Sequence, residues 1–314
     1  MAGEWAEGEL IVGNLAVWQR ERREAGAGGT LTALWAKLPP PEQLYSHLQL
    51  VYRVGPWREA RLRRQGIGDL RELVRDPLWQ GTVLPVLQAI ESRNLPELAA
   101  RGAQPLDLLS FFRPEDILFL DLETTGLSAV MPVFLVGVAF VEGDDLLVRQ
   151  YFARSYEEEE ALIQATSPLL SHYPVVVTYN GRSFDQPYLI RRSLITRSPL
   201  MWTAWHVDLL PLTRRHFRTG LPDFRLATVS EWLLGRSRAD DIPGSLVPSL
   251  YHQFVEEGDW LVIEPVLTHN SEDLISLAFL LQRLVEEATQ PATPTVEEAR
   301  PWNGDWYEER IGTA

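Results

Sequence analysis

The sequence predicts an α/β protein, a mixed β-sheet with helices against its faces, joined to a smaller, mainly helical amino-terminal segment. Two observations carry this. From Pro114 onward, short β-rich apolar runs alternate with segments of helical apolar spacing, the pattern of helices packed on a sheet. Between Glu42 and about Ala100 the apolar spacing is helical throughout, as in LYSHLQLVYRV, ARLRRQGIGDLRELV and LPVLQAIESRNLPELAA.

Along the chain, ELIVGNLAVW reads as a short strand or two, and AGAGG and LPPPE then break the pattern. VGPWREARLRRQGIGDLRELV loosely resembles a helix-hairpin-helix unit through Gly66 and Gly68, without a second copy. A small helical module for packing or for a protein partner accounts for residues 1–112. ILFLDLE is a nearly continuous apolar run ending in acid, as expected of a strand buried on both faces whose carboxyl end opens into a site. PVFLVGVAFVEG and DLLVRQYFA predict a hairpin closed by the GDD turn. YEEEEALIQATSPLLS is a helix in which Glu157 to Glu160 form a solvated first turn. VVVTYN is another buried strand, SFDQPYLIRRSLI a helix starting beside Asp185, and the chain from His206 is mainly helical. The main domain is expected over residues 113–290. A tail rich in Pro, Thr and Glu follows over 291–314, with Trp302 and Trp306 as candidate anchors.

Composition bounds the function. The 314 residues are 45% hydrophobic and 23% charged, as in an average globular protein. No run approaches the roughly 20 apolar residues that span a bilayer, and MAGEWAEGELIVG lacks a signal-peptide pattern. The expected compartment is the cytoplasm, with no membrane partner. The chain has no cysteine, so disulfides, thiolate metal sites and thiol nucleophiles are excluded. A net charge of −14 gives no global basic surplus for coating long nucleic acid. Local basic groups remain, Arg58, Arg61, Arg63, Arg64 and Arg71 early, and Arg214, Arg215, His216, Arg218 and Arg225 later. Each suits a solvated helix face as well as a phosphate contact.

Four acids stand out. Asp121 and Glu123 are two apart on one predicted strand, so both side chains point to one face. Asp185 stands at a helix start, where the dipole favours an anion. Asp273 lies on a helical pattern with His269 four residues before it, on nearly the same face. Such carboxylates repel one another unless hard divalent ions such as Mg²⁺ or Mn²⁺ neutralise them. Ions so held can clamp a phosphodiester for attack by water, which points to a metal-dependent nuclease. Asp208 reads as a helix cap, Asp240 and Asp241 as a turn before Pro243 and Gly244, and His206 as an organiser of its loop.

At these residues the chain resembles the DnaQ-like, or DEDD, 3′-to-5′ exonucleases of ribonuclease H-like fold, most closely the YprB-type family. DLETTGL, FLVGVAF, RQYFA, TYNGRSFDQP, HVDLLPLTRR, DDIPG and HNSEDLISLAFLL carry the resemblance over residues 114 to about 288. It implies that Asp121, Glu123, Asp185 and Asp273 bind two ions about 3.5 to 4 Å apart, one activating water and one stabilising the leaving 3′ oxygen. It also implies that Thr124, Thr125 and Gly126 hold the terminal nucleotide, with Asn180 and Phe184 bordering it. The substrate would be single-stranded DNA or RNA with a 3′ end. In the two main branches the general base is a tyrosine four residues before the last Asp or a histidine five before it. Here a histidine takes the tyrosine spacing. Four helical residues rotate a side chain by about 40° and five by about 140°, so His269 can face the metals on a regular helix. Imidazole, with an ordinary pKa near 6.5, suits a base. Contact with the scissile phosphate or capping of the site fit as well. A catalytically weak or inactive module that binds nucleic acid or a protein is the alternative to an exonuclease.

Overall fold

The computed structural model of the chain describes residues 3–237 and 242–289. It opens with two antiparallel strands, β1 (Ala6–Val12) and β2 (Leu15–Glu24), joined by a two-residue turn in which Gly13 takes a φ of 62°. Helix α1 (Ala27–Trp35) follows. Five short helices come next, α2 (Pro56–Arg64), α3 (Leu70–Leu73), α4 (Pro77–Glu91), α5 (Leu95–Ala100) and α6 (Pro105–Leu109). Every one of them except α3 has proline in its first turn, where the missing N–H loses no helical bond. Asp69, Asp76 and Asn94 cap α3, α4 and α5 through side-chain oxygens. These helices bury a core of their own that includes Leu44, Leu48, Leu70, Leu73, Val83 and Leu98. In the segment resembling a helix-hairpin-helix, Gly66 has a φ of 84° and the Gly68 N–H is donated to Glu72, 2.9 Å away.

The remaining strands are β3 (Ile117–Thr124), β4 (Val133–Glu142), β5 (Asp145–Phe152), β6 (Val175–Thr178) and β7 (Trp205–Asp208). With the first two they form one seven-stranded sheet in the order β1-β2-β5-β4-β3-β6-β7. β6 runs parallel to β3 and to β7, and the other pairs are antiparallel. Helices α7 (Glu159–His172) and α8 (Asp185–Ile195) make the two parallel crossovers. α9 (Leu209–His216), α10 (Leu226–Leu234), α11 (Val247–Glu257) and α12 (Trp260–Thr289) are the last elements of the described residues. β3 shows why the sheet is covered on both sides. Leu118, Leu120 and Leu122 enter a core with α7, α8 and α11, while Ile117 and Phe119 enter a second core with α1, α9, α10 and the later turns of α12.

Two features depart from the sequence reading. The two first strands, expected within a helical segment ending at residue 112, are hydrogen-bonded into the sheet: β2 pairs with β5 from Trp18↔Phe152 to Glu24↔Leu146. Within the charged run QRERRE, Arg20 is buried by polar partners, and before it Trp18 packs on Phe152 and Trp260. Glu159, expected in a solvated helical turn, is only 4% exposed. It accepts from both arms of Arg192, at 2.7 and 2.5 Å, and from the Val133 N–H at 2.9 Å, which ties α7, α8 and the start of β4 together. Asp240, Asp241 and the tail with Trp302 and Trp306 lie outside the described residues. No helix among the described residues is long and apolar enough to cross a membrane.

Removing one partner of such a pair leaves a buried charge uncompensated. Arg192→Ala is expected to lower stability by about 3 to 5 kcal/mol in urea denaturation, while Glu159→Gln/Arg192→Met, which removes both charges, loses less. Equal losses in the two variants would show that packing, not charge, governs this contact.

Candidate functional site

The site forms where β3 and β6 end. Asp121 and Glu123 are partly buried on one face of β3, with Leu122 turned into the opposite core between them. The pairing of β3 with β4 slips between Glu123 and Thr124, and such a bulge lets the chain leave the sheet. Beyond it Thr124 Oγ1 donates to the Gly126 carbonyl at 2.9 Å, and the Thr125 N–H donates to the Pro132 carbonyl at 3.0 Å. The Tyr188 hydroxyl, from α8, stands 2.9 Å from the carbonyl oxygens of both Gly126 and Met131. The Thr-Thr-Gly segment is therefore held as a closed loop beside the acids.

After β6, Asn180 adopts a φ of 66°. A Cβ at Gly181 would stand 2.8 Å from Thr178 Cγ2, so the return of the chain over Thr178 requires glycine. Asp208 secures this turn. Its carboxylate accepts from the N–H groups of Asn180 at 2.8 Å and Arg182 at 3.2 Å, and caps α9 through the Leu210 N–H at 3.0 Å. His206 is buried with Nε2 2.8 Å from Thr178 Oγ1 and Nδ1 3.0 Å from Gln186 Oε1. Burial pushes its pKa down to about 4, so it links β6 to α8 as a neutral ring. Both residues support the site, as their positions in the sequence suggest. Phe184 is half-buried and packs on Tyr188, ring centres 5.1 Å apart, and Asn180 is exposed at the turn.

Asp185 opens α8 and is buried. Burial pushes its pKa up to about 7. The charges of Asp208 and Asp273 add to the rise, and N–H groups of Asp185 itself and of Leu122 oppose it. Asp121 is pushed well above the usual carboxylate range, first by burial and then by the charges of Asp273, Glu123 and Asp185. On α12, His269 Nε2 lies 3.5 Å from Asp273 Oδ2. The four acids and His269 are therefore brought into one neighbourhood from β3, α8 and α12.

Four supporting residues escaped the sequence reading. Asn270 Nδ2 donates to Asp121 Oδ2 at 2.7 Å, and its Oδ1 accepts from Gln150 Nε2 at 2.7 Å. Gln150 Oε1 accepts in turn from Arg20 Nε at 2.6 Å, and Arg20 Nη1 pairs with Glu264 at 2.8 Å. From Arg20 through Gln150 and Asn270 each link donates toward Asp121, so these three bonds polarise one another in the same sense. The one signal in the sequence is Gly137 within the apolar run FLVGVAF. A Cβ there would stand 2.8 Å from both Asn270 Cγ and Leu274 Cδ1.

Among the described residues no three acidic or histidine side chains already form a ready ligand cage. The donor set nonetheless suits a hard divalent ion. It offers carboxylate oxygens only partly open to water, and the main charges acting on Asp121 are those of its acidic neighbours. Asp121, Glu123, Asp185 and Asp273 are the residues that would hold it.

A family profile described as RNase_H superfamily matches residues 118–285, more than half of the chain. YprB of Bacillus subtilis, a protein described as uncharacterized, is 35% identical over 175 residues, which are 54% of this chain and 42% of that protein. DNA polymerase 1 of Aeropyrum pernix is 36% identical over 70 residues, which are 22% of this chain and 7% of the polymerase. A family B DNA polymerase from the hyperthermophilic archaeon Pyrobaculum calidifontis superposes with a TM-score of 0.44 at 18% identity, over 56% of this chain and 27% of its own. The chain thus spans less than half the length of these relatives.

The raised pKa of Asp185 sets a pH dependence. Its ordinary value is 3.8 and its folded value about 7, so between these limits the unfolded chain releases a proton that the folded chain keeps. Its contribution to stability is fully present below the ordinary value and is lost as pH rises through about 7. In EDTA, the melting temperature of Asp185→Asn minus that of the wild type should grow by several degrees between about pH 5 and about pH 7. Added Mg²⁺ or Mn²⁺ should shrink it. A difference independent of pH would contradict this account of Asp185.

Proposed function

We propose that this chain, which belongs to the RNase_H superfamily, is a metal-dependent nuclease that removes nucleotides from the 3′ end of single-stranded DNA or RNA. Membership of that superfamily supports a nuclease-type hydrolase. The observation that carries the reading is the set of acids around Asp121, whose mutual repulsion raises the Asp121 pKa on top of burial. Two ions, Mg²⁺ or Mn²⁺, would supply the positive charge that offsets this set and a Lewis acid for the phosphodiester. Likeness to a protein named as a DNA polymerase supports nucleic acid as the substrate class. The 3′ polarity rests on the resemblance carried by DLETTGL, TYNGRSFDQP and HNSEDLISLAFLL.

The chain's own residues then divide the work. Asn270, braced by Gln150, fixes the orientation of the Asp121 carboxylate. The loop of Thr124, Thr125 and Gly126, closed by Tyr188, forms one wall for the terminal nucleotide, and Phe184 and Asn180 the other. His269, held 3.5 Å from Asp273, takes the proton from the attacking water. Residues 113–290 are the proposed catalytic unit, with β1 and β2 as its added edge and the helices α2 to α6 as an appended module.

Hydrolysis of 5′-labelled DNA and RNA strands with Mn²⁺, Mg²⁺ or EDTA tests the proposal. A metal-dependent ladder shortening from the 3′ end and lost in Asp121→Ala is expected. No cleavage of either strand by folded protein would replace the nuclease with a binding module. His269→Ala should slow single-turnover hydrolysis by about 100- to 10,000-fold with metal binding by calorimetry retained; an unchanged rate would remove His269 from the chemistry.

A further inference from the structure

The helical module carries a surface that the acidic site does not use. Residues 52–64 contain Arg53, Arg58, Arg61, Arg63 and Arg64 against the single acid Glu59, in a chain whose net charge is −14. Glu59 is taken by Arg63 at 2.7 Å. Arg58 and Arg64 reach only backbone carbonyls, those of Arg53 at 2.7 Å and Ala60 at 3.4 Å, which leaves their charge unneutralised there. Between the arginines stand two large aromatics with no core to fill, Tyr52 at 66% and Trp57 at 67% exposure. The guanidinium of Arg53 lies 5.2 Å from the Tyr52 ring, and that of Arg61 lies 6.0 Å from the Trp57 ring.

The backbone is shaped around this stripe. Arg53 sits at a φ of 67°, a left-handed conformation uncommon for a residue with a side chain, and the bond from Arg58 to its carbonyl holds it there. Tyr52, Arg53 and Gly55 border a cavity of about 380 Å³ that Arg101 also lines. Arginines interleaved with exposed ring faces are what a single strand requires, phosphates beside guanidinium groups and unpaired bases on aromatics. A duplex hides its base faces and would leave Tyr52 and Trp57 idle. The acidity of the rest of the chain repels phosphate and confines a strand to such a stripe.

We infer that the face formed by Tyr52, Arg53, Trp57, Arg58 and Arg61 is a second contact for single-stranded nucleic acid, gripping the strand remote from the end that enters the acidic site. The contact runs through side chains, because the Gly68 N–H that a hairpin turn would offer a phosphate is taken by Glu72. The inference rests on the nucleic-acid substrate proposed above.

Binding of a fluorescent 30-nucleotide single strand to the full-length Asp121→Ala protein, read by anisotropy, tests it without any need for cleavage. Arg58→Glu/Arg61→Glu should weaken binding by tenfold or more and flatten the log–log salt dependence by about 1.4, the slope expected for two phosphate contacts on a single strand. Tyr52→Ala and Trp57→Ala should each weaken it by about fivefold or more, with Trp57→Phe restoring most of the loss. Because these side chains are exposed, unchanged melting temperatures will verify folding. Affinity and salt slope unaltered by the arginine pair would overturn the inference. So would equal competition by duplex DNA and heparin with no effect of the aromatic changes, which would mark an interface for acidic proteins or polyanions. Hydrolysis by the unmutated chain is read separately. Its absence alongside stripe-dependent binding removes only the nuclease reading, and its presence with stripe-independent binding removes only the second contact.

Discussion

The contact between α12 and the middle of β4 is the constraint on which the site depends. With no side chain at Gly137, the helix lies close enough for Asn270 to reach across the sheet and for Leu274 to enter the core beside it. A single methyl group there would meet both, and overpacking of this kind typically costs about 1 to 3 kcal/mol. Here the larger loss would be geometric. Lifting α12 moves Asn270 off Asp121 and carries His269 and Asp273 away from the strand acids at the same time. One absent side chain thus sets the spacing of the site.

Closeness creates an electrostatic problem that the fold leaves unsolved around Asp121. Buried like charges shift one another's protonation, and the protein supplies hydrogen-bond donors there in place of a cation. The Glu159–Arg192 pair shows the opposite choice within the same molecule, a carboxylate neutralised by a bidentate guanidinium and committed to structure. Two acids withdrawn from water in the same domain therefore serve different ends, and their partners reveal which. The chain of bonds from Arg20 through Gln150 and Asn270 ends on the acid that no arginine neutralises.

Much of this was legible in the residues. Apolar runs located β3 and β6, the first of them ending in acid, the GDD turn located the β4–β5 hairpin, and the spacing of Asp121, Glu123, Asp185, His269 and Asp273 marked elements that the fold brings together. What remained hidden depends on distant partners. β2 carries a run of charges with no apolar pattern to mark a buried side, and its pairing with β5 and the approach of Glu264 account for a buried Arg20. The run from Glu157 to Glu160 is likewise uniform in sequence, yet Arg192 from another helix draws Glu159 alone inside. Polar networks of this kind have no local period. The glycine inside FLVGVAF is the one trace that such a network leaves in the sequence.

The pairing of β2 with β5 also ties distant parts of the chain together. The side chains that meet there are 130 residues apart, with the helical core around Leu44, Leu70 and Leu98 formed from the chain between them. Contacts of such separation close slowly, and an isolated two-stranded ribbon is marginal in water. The β1–β2 ribbon therefore depends on its pairing with β5 to hold its place. Glu7 and Glu9 on its outer strand discourage pairing with a stray edge. Arg20 is carried to Gln150 by that pairing alone. The brace behind Asp121 thus hangs on a strand from the far start of the chain, and a sheet without that strand would lose the end of the bond chain that aims the acid.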